Sequence, residues 1–174
     1  PEATVVCYDP VSDANILAGS TLAFGRALRP RYDFARADVV LALDADFLGN
    51  EFDAVANARA FTARRRVQGG TADMNRLYLV EPTLTQTATL ADHRLRVSAG
   101  QLPTFVSTLA RVLNDKGLAL PSSLMNALPL PESFNVPWMS AVAADLLAHR
   151  GRSLLLAGRG QSPAVHAMVA TINE

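Results

Sequence analysis

The chain has 174 residues, 49% of them hydrophobic, which is enough for one well-buried core and short for two. Its 16 basic and 16 acidic residues give a formal net charge of zero, so the composition offers no support for a polyanion-binding surface, and we expect no nucleic-acid partner. No apolar run approaches the ~20 residues that a membrane-spanning helix needs, so we expect no direct membrane insertion. The chain starts at Pro1 without a secretory signal, and we expect a piece excised from a longer chain.

The first predicted strand covers residues 4–8, which are mostly apolar and β-branched. Cys7 lies within it, and we expect this single cysteine to be a packed core thiol. A helix then follows a cap at Ser12 or Asp13. Its predicted apolar stripe consists of Leu17, Thr21, Phe24 and Leu28.

A buried strand, a polar loop and a helix form the next unit. Val39–Leu43 is an unbroken apolar run, which predicts a strand buried on both faces, and a helical pattern covers residues 51–66. Asp44 and Asp46 lie between them and would point the same way in an extended backbone. They can bind a hard cation or act as an acid–base pair, but no third carboxylate or histidine lies at a useful local spacing. We therefore favour capping of the next helix.

The second half continues the alternation of strands and helices. Strands are predicted at 77–80, at 93–97 near a sheet edge, and at 154–157, with a loop at 68–71 before the first of them. The apolar series that predicts the clearest amphipathic helix is Leu102, Phe105, Val106, Leu109, Val112 and Leu113.

The rest of this half contains one long connection and two further helices. Residues 117–135 are either an irregular, partner-contacting excursion or hold a short helix near 122–127. Asn135 caps the next helix, and Ser162 with Pro163 starts the last one. These elements predict a three-layer α/β/α, Rossmann-like domain with a mostly parallel sheet of about five strands.

No established catalytic motif is present. Gly158 and Gly160 supply only the first two glycines of a dinucleotide-binding loop, and we favour a tight turn into the last helix over an anion site. The three histidines lie in different predicted elements, with His149 and His166 at positions that we expect to be exposed.

A longer stretch carries a family resemblance. Residues 75–97 contain a strand ending in Glu81-Pro82, then Thr83-x-Thr85-x-Thr87-Ala88 and Ala91-Asp92, then a short strand. This stretch resembles the nucleotide-binding domain of molybdopterin oxidoreductases, in which a strand ending in Asp-Pro precedes Arg-x-Thr-x-Thr-Ala-x-x-Ala-Asp and another short strand.

Residues 44–49, 58–66 and 156–161 extend the resemblance to a narrower group within that family. This group consists of the iron–sulfur-carrying, molybdopterin-oxidoreductase-like subunits of the bacterial alternative complex III. That respiratory assembly passes electrons from quinol to cytochrome c or an oxidase. The resemblance covers nearly the whole chain and implies one molybdopterin-oxidoreductase-like domain over 1–174. It further implies a periplasmic location at the inner membrane, and sibling domains and subunits of a membrane-associated complex as partners. Iron–sulfur clusters are implied elsewhere in the parent chain.

The chain departs from the family at the place of the cofactor phosphates. Cofactor-binding relatives typically have Gly-x-Asn-Pro after the first matching strand, whereas residues 44–47 here are acidic and bulky. Glu81 stands where an Asp would contact a ribose or base, and Thr83 replaces an Arg. Because negative charge repels phosphate, we expect a non-catalytic scaffold domain that has lost the pterin and has no metal site.

The alternative is a working domain of an active oxidoreductase. In that case the resemblance implies that Glu81, Thr85, Gly158 and Gln161 bind molybdopterin guanine dinucleotide. A generic nucleotide-binding regulatory module is a third hypothesis.

Overall fold

Four strands and six helices make up the regular structure of a computed structural model that describes residues 3–9, 11–66 and 74–174. The strands are β1 Val39–Leu43, β2 Arg76–Glu81, β3 His93–Arg96 and β4 Ser153–Ala157. The helices are α1 Ala14–Phe24, α2 Ala54–Ala63, α3 Leu102–Asp115, α4 Ser122–Asn126, α5 Val136–Ala148 and α6 Pro163–Ile172. Two short 3-10 turns cover Thr87–Leu90 and Ala99–Gln101.

The strands form one parallel sheet in the order β3-β2-β1-β4. Leu41 in the middle of β1 lies opposite Tyr78 of β2 and Leu155 of β4. All five residues of β1 are buried, as the unbroken apolar run predicts for a central parallel strand. The predicted α/β fold is confirmed, with four strands rather than five in the described part of the chain.

Each face of the sheet is covered by its own hydrophobic core. Helices α3, α5 and α6 pack on the face that carries Leu41 and Leu43. On the other face, α2 contributes Phe61 to a cluster with Phe34 and Phe47, whose stacked rings have centroids 4.5 Å apart. The domain therefore has three layers. None of the described helices combines the length and the hydrophobicity needed to cross a membrane.

The predicted strand over residues 4–8 is absent, and this expectation was wrong. The segment is irregular, with Val5 86% and Tyr8 85% exposed. Cys7 is exposed as well, so it is not a core thiol. A β-prone sequence forms a strand only where a neighbouring strand pairs with it, and residues 4–8 pair with neither edge strand of the sheet, β3 or β4.

Helix α1 buries a different face from the predicted one. Its buried side chains include Ile16 and Ser20, whereas Thr21 and Phe24 are exposed. The reason is the close approach of α1 to α6 at Gly19, where an added Cβ would overlap the Cβ of His166. This packing also buries His166, which was expected to be exposed.

Other element boundaries agree with the sequence more closely. Helix α3 buries five of its six predicted apolar residues, leaving Val112 partly exposed, and the short helix α4 is present. Asn135 accepts a hydrogen bond from the Trp138 N–H over 3.1 Å, and Ser162 accepts one from the Val165 N–H over 3.4 Å, so both predicted caps are confirmed. The predicted loop at 68–71 lies outside the described residues.

Helix α2 starts later than predicted. Asp53 has a φ of 57°, a left-handed conformation that prevents the helix from including residues 51–53. At the other end, the Arg64 guanidinium contacts the Asp38 carboxylate over 2.7 Å, and Arg65 pairs with Asp92. These ion pairs fasten the end of α2 to the segments next to β1 and β3.

Candidate functional site

The strand order places a topological switch point between β1 and β4. From β1 the chain proceeds through α2 to β2 and then β3, whereas β4 lies on the opposite side of β1. In open parallel sheets, ligands bind in the crevice at the carboxyl ends of the two strands where the order reverses. Here residues 44–53 follow β1 and residues 158–162 follow β4, so their contacts define the candidate site.

Asp44 turns its carboxylate toward the loop after β4. Its backbone has a φ of 51°, and its N–H donates to the carbonyl oxygen of Val80 over 2.7 Å. The carboxylate oxygen Oδ2 accepts a hydrogen bond from Nε2 of Gln161 over 2.9 Å. This hydrogen bond joins the loop after β1 to the loop after β4.

Asp46 turns to the other side of the site. Its Oδ1 accepts from the Thr87 N–H over 3.0 Å and from the Thr87 hydroxyl over 2.7 Å. The expectation that Asp44 and Asp46 point the same way was therefore wrong, because the left-handed backbone of Asp44 interrupts the extended alternation. The expected capping of α2 was wrong too, since Asp46 binds the first residue of the 3-10 turn Thr87–Leu90.

The glycine loop after β4 packs directly on the loop after β1. The Gly158 N–H donates to the Leu43 carbonyl oxygen over 2.9 Å, and a Cβ atom at Gly158 would overlap the Asp44 carbonyl oxygen. The Arg159 N–H donates to Glu51 Oε1 over 3.3 Å, and the Arg159 guanidinium lies 3.7 Å from Glu51 Oε2. Only glycine fits at position 158, because backbone from the other loop fills the space that a side chain would take.

Glu81 is almost completely buried at the end of β2, with 1% of its surface exposed. Its Oε1 accepts from Nε of Arg94 over 2.8 Å, and its Oε2 accepts from the Thr85 hydroxyl over 2.8 Å. The Arg94 side chain also donates to the Thr83 carbonyl oxygen. Arg94 thus neutralises the carboxylate and ties β3 to the loop after β2.

Two carboxyl groups of the site are held in surroundings that disfavour their charge. Burial raises the pKa of Asp44, the nearby Glu81 charge adds to this, and the hydrogen bond from Gln161 opposes it. Burial also raises the pKa of Glu51, where Arg159 lowers it and the charges of Asp46 and Asp44 raise it further. Both carboxyls therefore hold a proton more readily than carboxyls in water.

The four residues of the dinucleotide hypothesis fall into two pairs. Glu81 binds Thr85, and the Gln161 N–H donates to the Gly158 carbonyl oxygen over 2.9 Å while its side chain binds Asp44. As placed, this arrangement fits the pyrophosphate of a dinucleotide poorly. A pyrophosphate needs N–H donors that are free to bind its oxygens. Here the side-chain amide of Gln161 already donates to Asp44, and the negative charge of the Asp44 carboxylate repels a phosphate.

Sequence reasoning missed two partners in this site. Arg94 was assigned to an alternating strand without a role. It lies opposite Leu79 on β2, and its side chain reaches Glu81 two residues further along that strand, a diagonal contact that the sequence pattern does not show. Gln161 was connected with a cofactor and not with Asp44. Of the histidines, His93 stacks on Tyr78 with ring centroids 4.7 Å apart, and Nδ1 of His149 lies 2.8 Å from the Asp145 carbonyl oxygen. His149 is partly buried and His166 is buried, although both were expected to be exposed. The three histidines belong to different elements, His93 to β3, His149 to the end of α5 and His166 to α6.

In the part of the chain that the structure describes, no group of three or more His, Cys, Asp or Glu side chains is arranged to hold a metal ion. No protein-family model matches the chain, and a search of curated proteins finds no significant match. We therefore base the functional proposal on the contacts at the carboxyl ends of β1, β2 and β4 and on the sequence resemblance.

Proposed function

We propose that this chain is a non-catalytic scaffold domain of a molybdopterin-oxidoreductase-like subunit in a bacterial respiratory electron-transfer complex. In this proposal the domain keeps the α/β frame of its relatives but does not bind the pterin dinucleotide, and the iron–sulfur clusters belong to other parts of the parent chain. The domain acts on the periplasmic side of the inner membrane by packing against sibling domains and subunits.

The observation that carries the proposal is the hydrogen bond between Asp44 and Gln161 at the switch point. In a dinucleotide-binding domain, backbone N–H groups and glycines at this place leave room for phosphate oxygens. Here the space next to Gly158 is filled by the Asp44 backbone, and the amide of Gln161 is held by a carboxylate. A phosphate entering the crevice would meet the negative charge of Asp44 first.

The contacts of Glu81 support the same proposal. A carboxylate that recognises a ribose or a guanine base must offer its oxygens to the ligand, as hydrogen-bond acceptors. Both oxygens of Glu81 already accept hydrogen bonds from within the chain, one from Arg94 and one from Thr85. These bonds give Glu81 a structural role between β2 and β3.

Exposed apolar side chains provide surface for packing against sibling domains. Val5 and Tyr8 in the irregular N-terminal segment are 86% and 85% exposed, and Leu130 in the connection before α5 is 81% exposed. The connection at 117–135 remains our proposed partner-contacting segment. In the proposal, these exposed side chains are the ones that pack against sibling domains.

Isothermal titration calorimetry of this chain with GDP, in buffer containing EDTA, tests the proposal. We expect no saturable binding tighter than millimolar. Tighter binding that is lost in Glu81→Ala, and also in the smaller change Thr85→Val, would contradict the scaffold function and favour the molybdopterin guanine dinucleotide alternative. ATP and AMP serve as matched ligands, because their binding at equal affinity would indicate the generic nucleotide-binding module instead.

A further inference from the structure

A second feature of the same sheet edge is a cavity of about 560 Å³ on the side of α2. It is bounded by Ile16 of α1, the loop before β1, the loop after β1, the start of α2 and the end of β4, where Leu156 and Ala157 contribute. Pockets for small organic ligands typically measure ~300–1,000 Å³ and are lined mainly by apolar side chains with a few polar groups. The size and position of this cavity therefore suit a small organic molecule.

The walls of the cavity are rich in aromatic rings. Tyr32, Phe34, Phe47 and Phe52 all line it. Phe34 and Phe47 are fully buried and stacked on each other, so this part of the wall is fixed by packing on the sheet. Phe52 is 45% exposed and borders the cavity from the segment before α2. Such walls favour a ligand whose apolar body is itself a ring.

The charged side chains of the lining differ in their exposure. Arg29, Arg31, Asp33 and Asp53 are exposed, and Arg29 is already paired with Asp13 over 2.6 Å. The Glu51 side chain is only 15% exposed. The least exposed charged side chain of the lining is therefore the Glu51 carboxylate, while the more exposed Arg29 guanidinium lies 5.0 Å from the centroid of the Phe52 ring. Because an exposed charge is screened by water, Glu51 has the strongest influence on the charge that the cavity prefers.

The surroundings of Glu51 leave its negative charge incompletely compensated. Arg159 is its cationic partner at 3.7 Å, while Asp44 and Asp46 are nearby carboxyls that add negative charge. Burial raises the pKa of Tyr32, and the Glu51 charge raises it further, so the phenol stays neutral and can only donate or accept a hydrogen bond. A cationic group of a ligand would supply the missing positive charge.

We propose that this cavity binds an arylalkylamine, with the aromatic ring between Tyr32 and Phe52 and the ammonium group at Glu51. The ring replaces water along the aromatic walls, and the ammonium donates a charge-assisted hydrogen bond to the carboxylate. The cavity borders the dinucleotide crevice, because Phe47, Glu51 and Phe52 belong to the loop after β1, but it lies on the α2 side of that loop. The proposal does not depend on the scaffold function.

Proton linkage gives the amine site a pH signature. An ammonium ion favours the ionised form of Glu51, so binding becomes weaker as the pH falls through the pKa of that carboxyl. The other charged or titratable groups that face Glu51 are Arg159, Asp44, Asp46 and Tyr32. Tyr32, whose pKa is raised, stays neutral on the acid side of neutrality, whereas Asp44, whose pKa is also raised, gains a proton as the pH falls, which weakens amine binding in the same direction.

Tryptamine and indole-3-propionate are matched probes, because both carry an indole ring on a short chain and differ in the sign of the terminal charge. We expect saturable tryptamine binding by calorimetry, with amide NMR shifts at Tyr32 and Phe52, and affinity for the propionate weaker by at least about tenfold, as expected for loss of a charge-assisted hydrogen bond. Equal affinity for both probes, or no saturable tryptamine binding, would overturn the proposal.

Three variants distinguish binding of tryptamine in this cavity from a general attraction of the amine to negative charge. Glu51→Gln should weaken tryptamine at least about tenfold and remove the preference over the propionate, whereas Asp53→Asn, an exposed carboxylate of the same lining, should change affinity less than about twofold. Ala56→Phe should abolish binding by filling the cavity from the exposed side of α2. Unchanged tryptamine binding in Ala56→Phe would contradict the site. If Glu51→Gln does not fold, the pH dependence of tryptamine binding to the unmodified chain decides the role of Glu51.

Discussion

The side-chain amide of Gln161 donates a hydrogen bond of 2.9 Å to the Asp44 carboxylate and so joins two loops that lie 117 residues apart in the chain. Asp44 follows the central strand β1, and Gln161 follows the edge strand β4. The contact lies at the switch point, the place where a related sheet would admit a ligand. The same hydrogen bond therefore has two expected effects: it stabilises this edge of the sheet, and in our proposal it closes the crevice to a ligand.

Asp44→Ala should lower the free energy of unfolding by about 1–3 kcal/mol, because it removes the hydrogen bond and places alanine at a φ of 51°. Asp44→Asn is the matched control. Asparagine tolerates the left-handed conformation, and its carbonyl oxygen can still accept from Gln161. Urea unfolding followed by circular dichroism measures both. Equal losses in the two variants would show that the hydrogen bond and the backbone conformation contribute nothing.

Gly158→Ala should destabilise the domain more than Gly160→Ala, although both substitutions add one methyl group to the same loop. At Gly158 the new Cβ overlaps the Asp44 carbonyl oxygen, whereas at Gly160 it meets no atom within 4 Å. We expect a loss of about 1–3 kcal/mol for the first and less than ~0.5 kcal/mol for the second. Thermal unfolding by calorimetry measures both, and similar melting temperatures for the two variants would argue against a close packing of the loops.

Glu81→Ala should be the most destabilising of these changes. It leaves the Arg94 guanidinium, with 28% of its side chain exposed, without its carboxylate partner. Breaking a buried ion pair typically costs ~3–5 kcal/mol, and the partial exposure of Arg94 places our expectation near the lower end of that range. In a double-mutant cycle, Glu81→Ala with Arg94→Ala should lose less stability than the sum of the two single variants. Strict additivity in urea unfolding would exclude a coupled pair.

The acid sensitivity of the fold should depend on Asp38. Burial alone would raise the pKa of this carboxyl, but hydrogen bonds and charges from Arg64 and Arg152 outweigh burial and lower the pKa below its ordinary 3.8. A lowered folded-state pKa gives stability that is present above the unfolded-state pKa and is lost as the pH falls through the folded-state pKa. Asp38→Asn should therefore reduce stability at neutral pH and flatten the loss of stability in acid.

Urea unfolding midpoints measured over a range from about pH 7 to pH 3 test this dependence. The control is Asp33→Asn, an exposed carboxylate without an ion-pair partner among the described residues. Asp44 contributes a pH dependence of stability that is opposite in sign to that of Asp38. Its folded-state pKa is raised, so the stability that its protonated form contributes is lost as the pH rises through that pKa. An unchanged acid slope in Asp38→Asn would show that its arginine partners do not stabilise the fold.

The layered fold could be predicted from the sequence because its central elements are marked by local patterns. Val39–Leu43 is apolar at every position, as a strand buried on both faces must be, and α3 repeats its apolar residues with helical spacing. Residues 4–8 have the same β-prone composition as a strand but are exposed. Composition shows the β-propensity of a segment, whereas a strand also requires pairing with a neighbouring strand, and the sequence pattern does not show whether that pairing forms.

The candidate site was less predictable, because its geometry depends on single backbone conformations and long-range packing. Asp44 and Asp46 point apart since one residue, Asp44, adopts a positive φ, which the period-2 pattern does not show. His166 is buried because α1 packs on α6 at Gly19, a contact between helices more than 140 residues apart in the chain. The sequence placed Gly158 and Gln161 at the correct edge of the sheet, but only the fold pairs Gln161 with Asp44.

A crystal structure of the chain soaked with GDP in the presence of EDTA tests the central claim most directly. We predict that Gln161 remains within hydrogen-bond distance of the Asp44 carboxylate and that no diphosphate lies against residues 44–49. A diphosphate bound to the backbone N–H groups of residues 45–49 without a bridging cation, with Gln161 displaced from Asp44, would contradict the claim that internal contacts close this crevice.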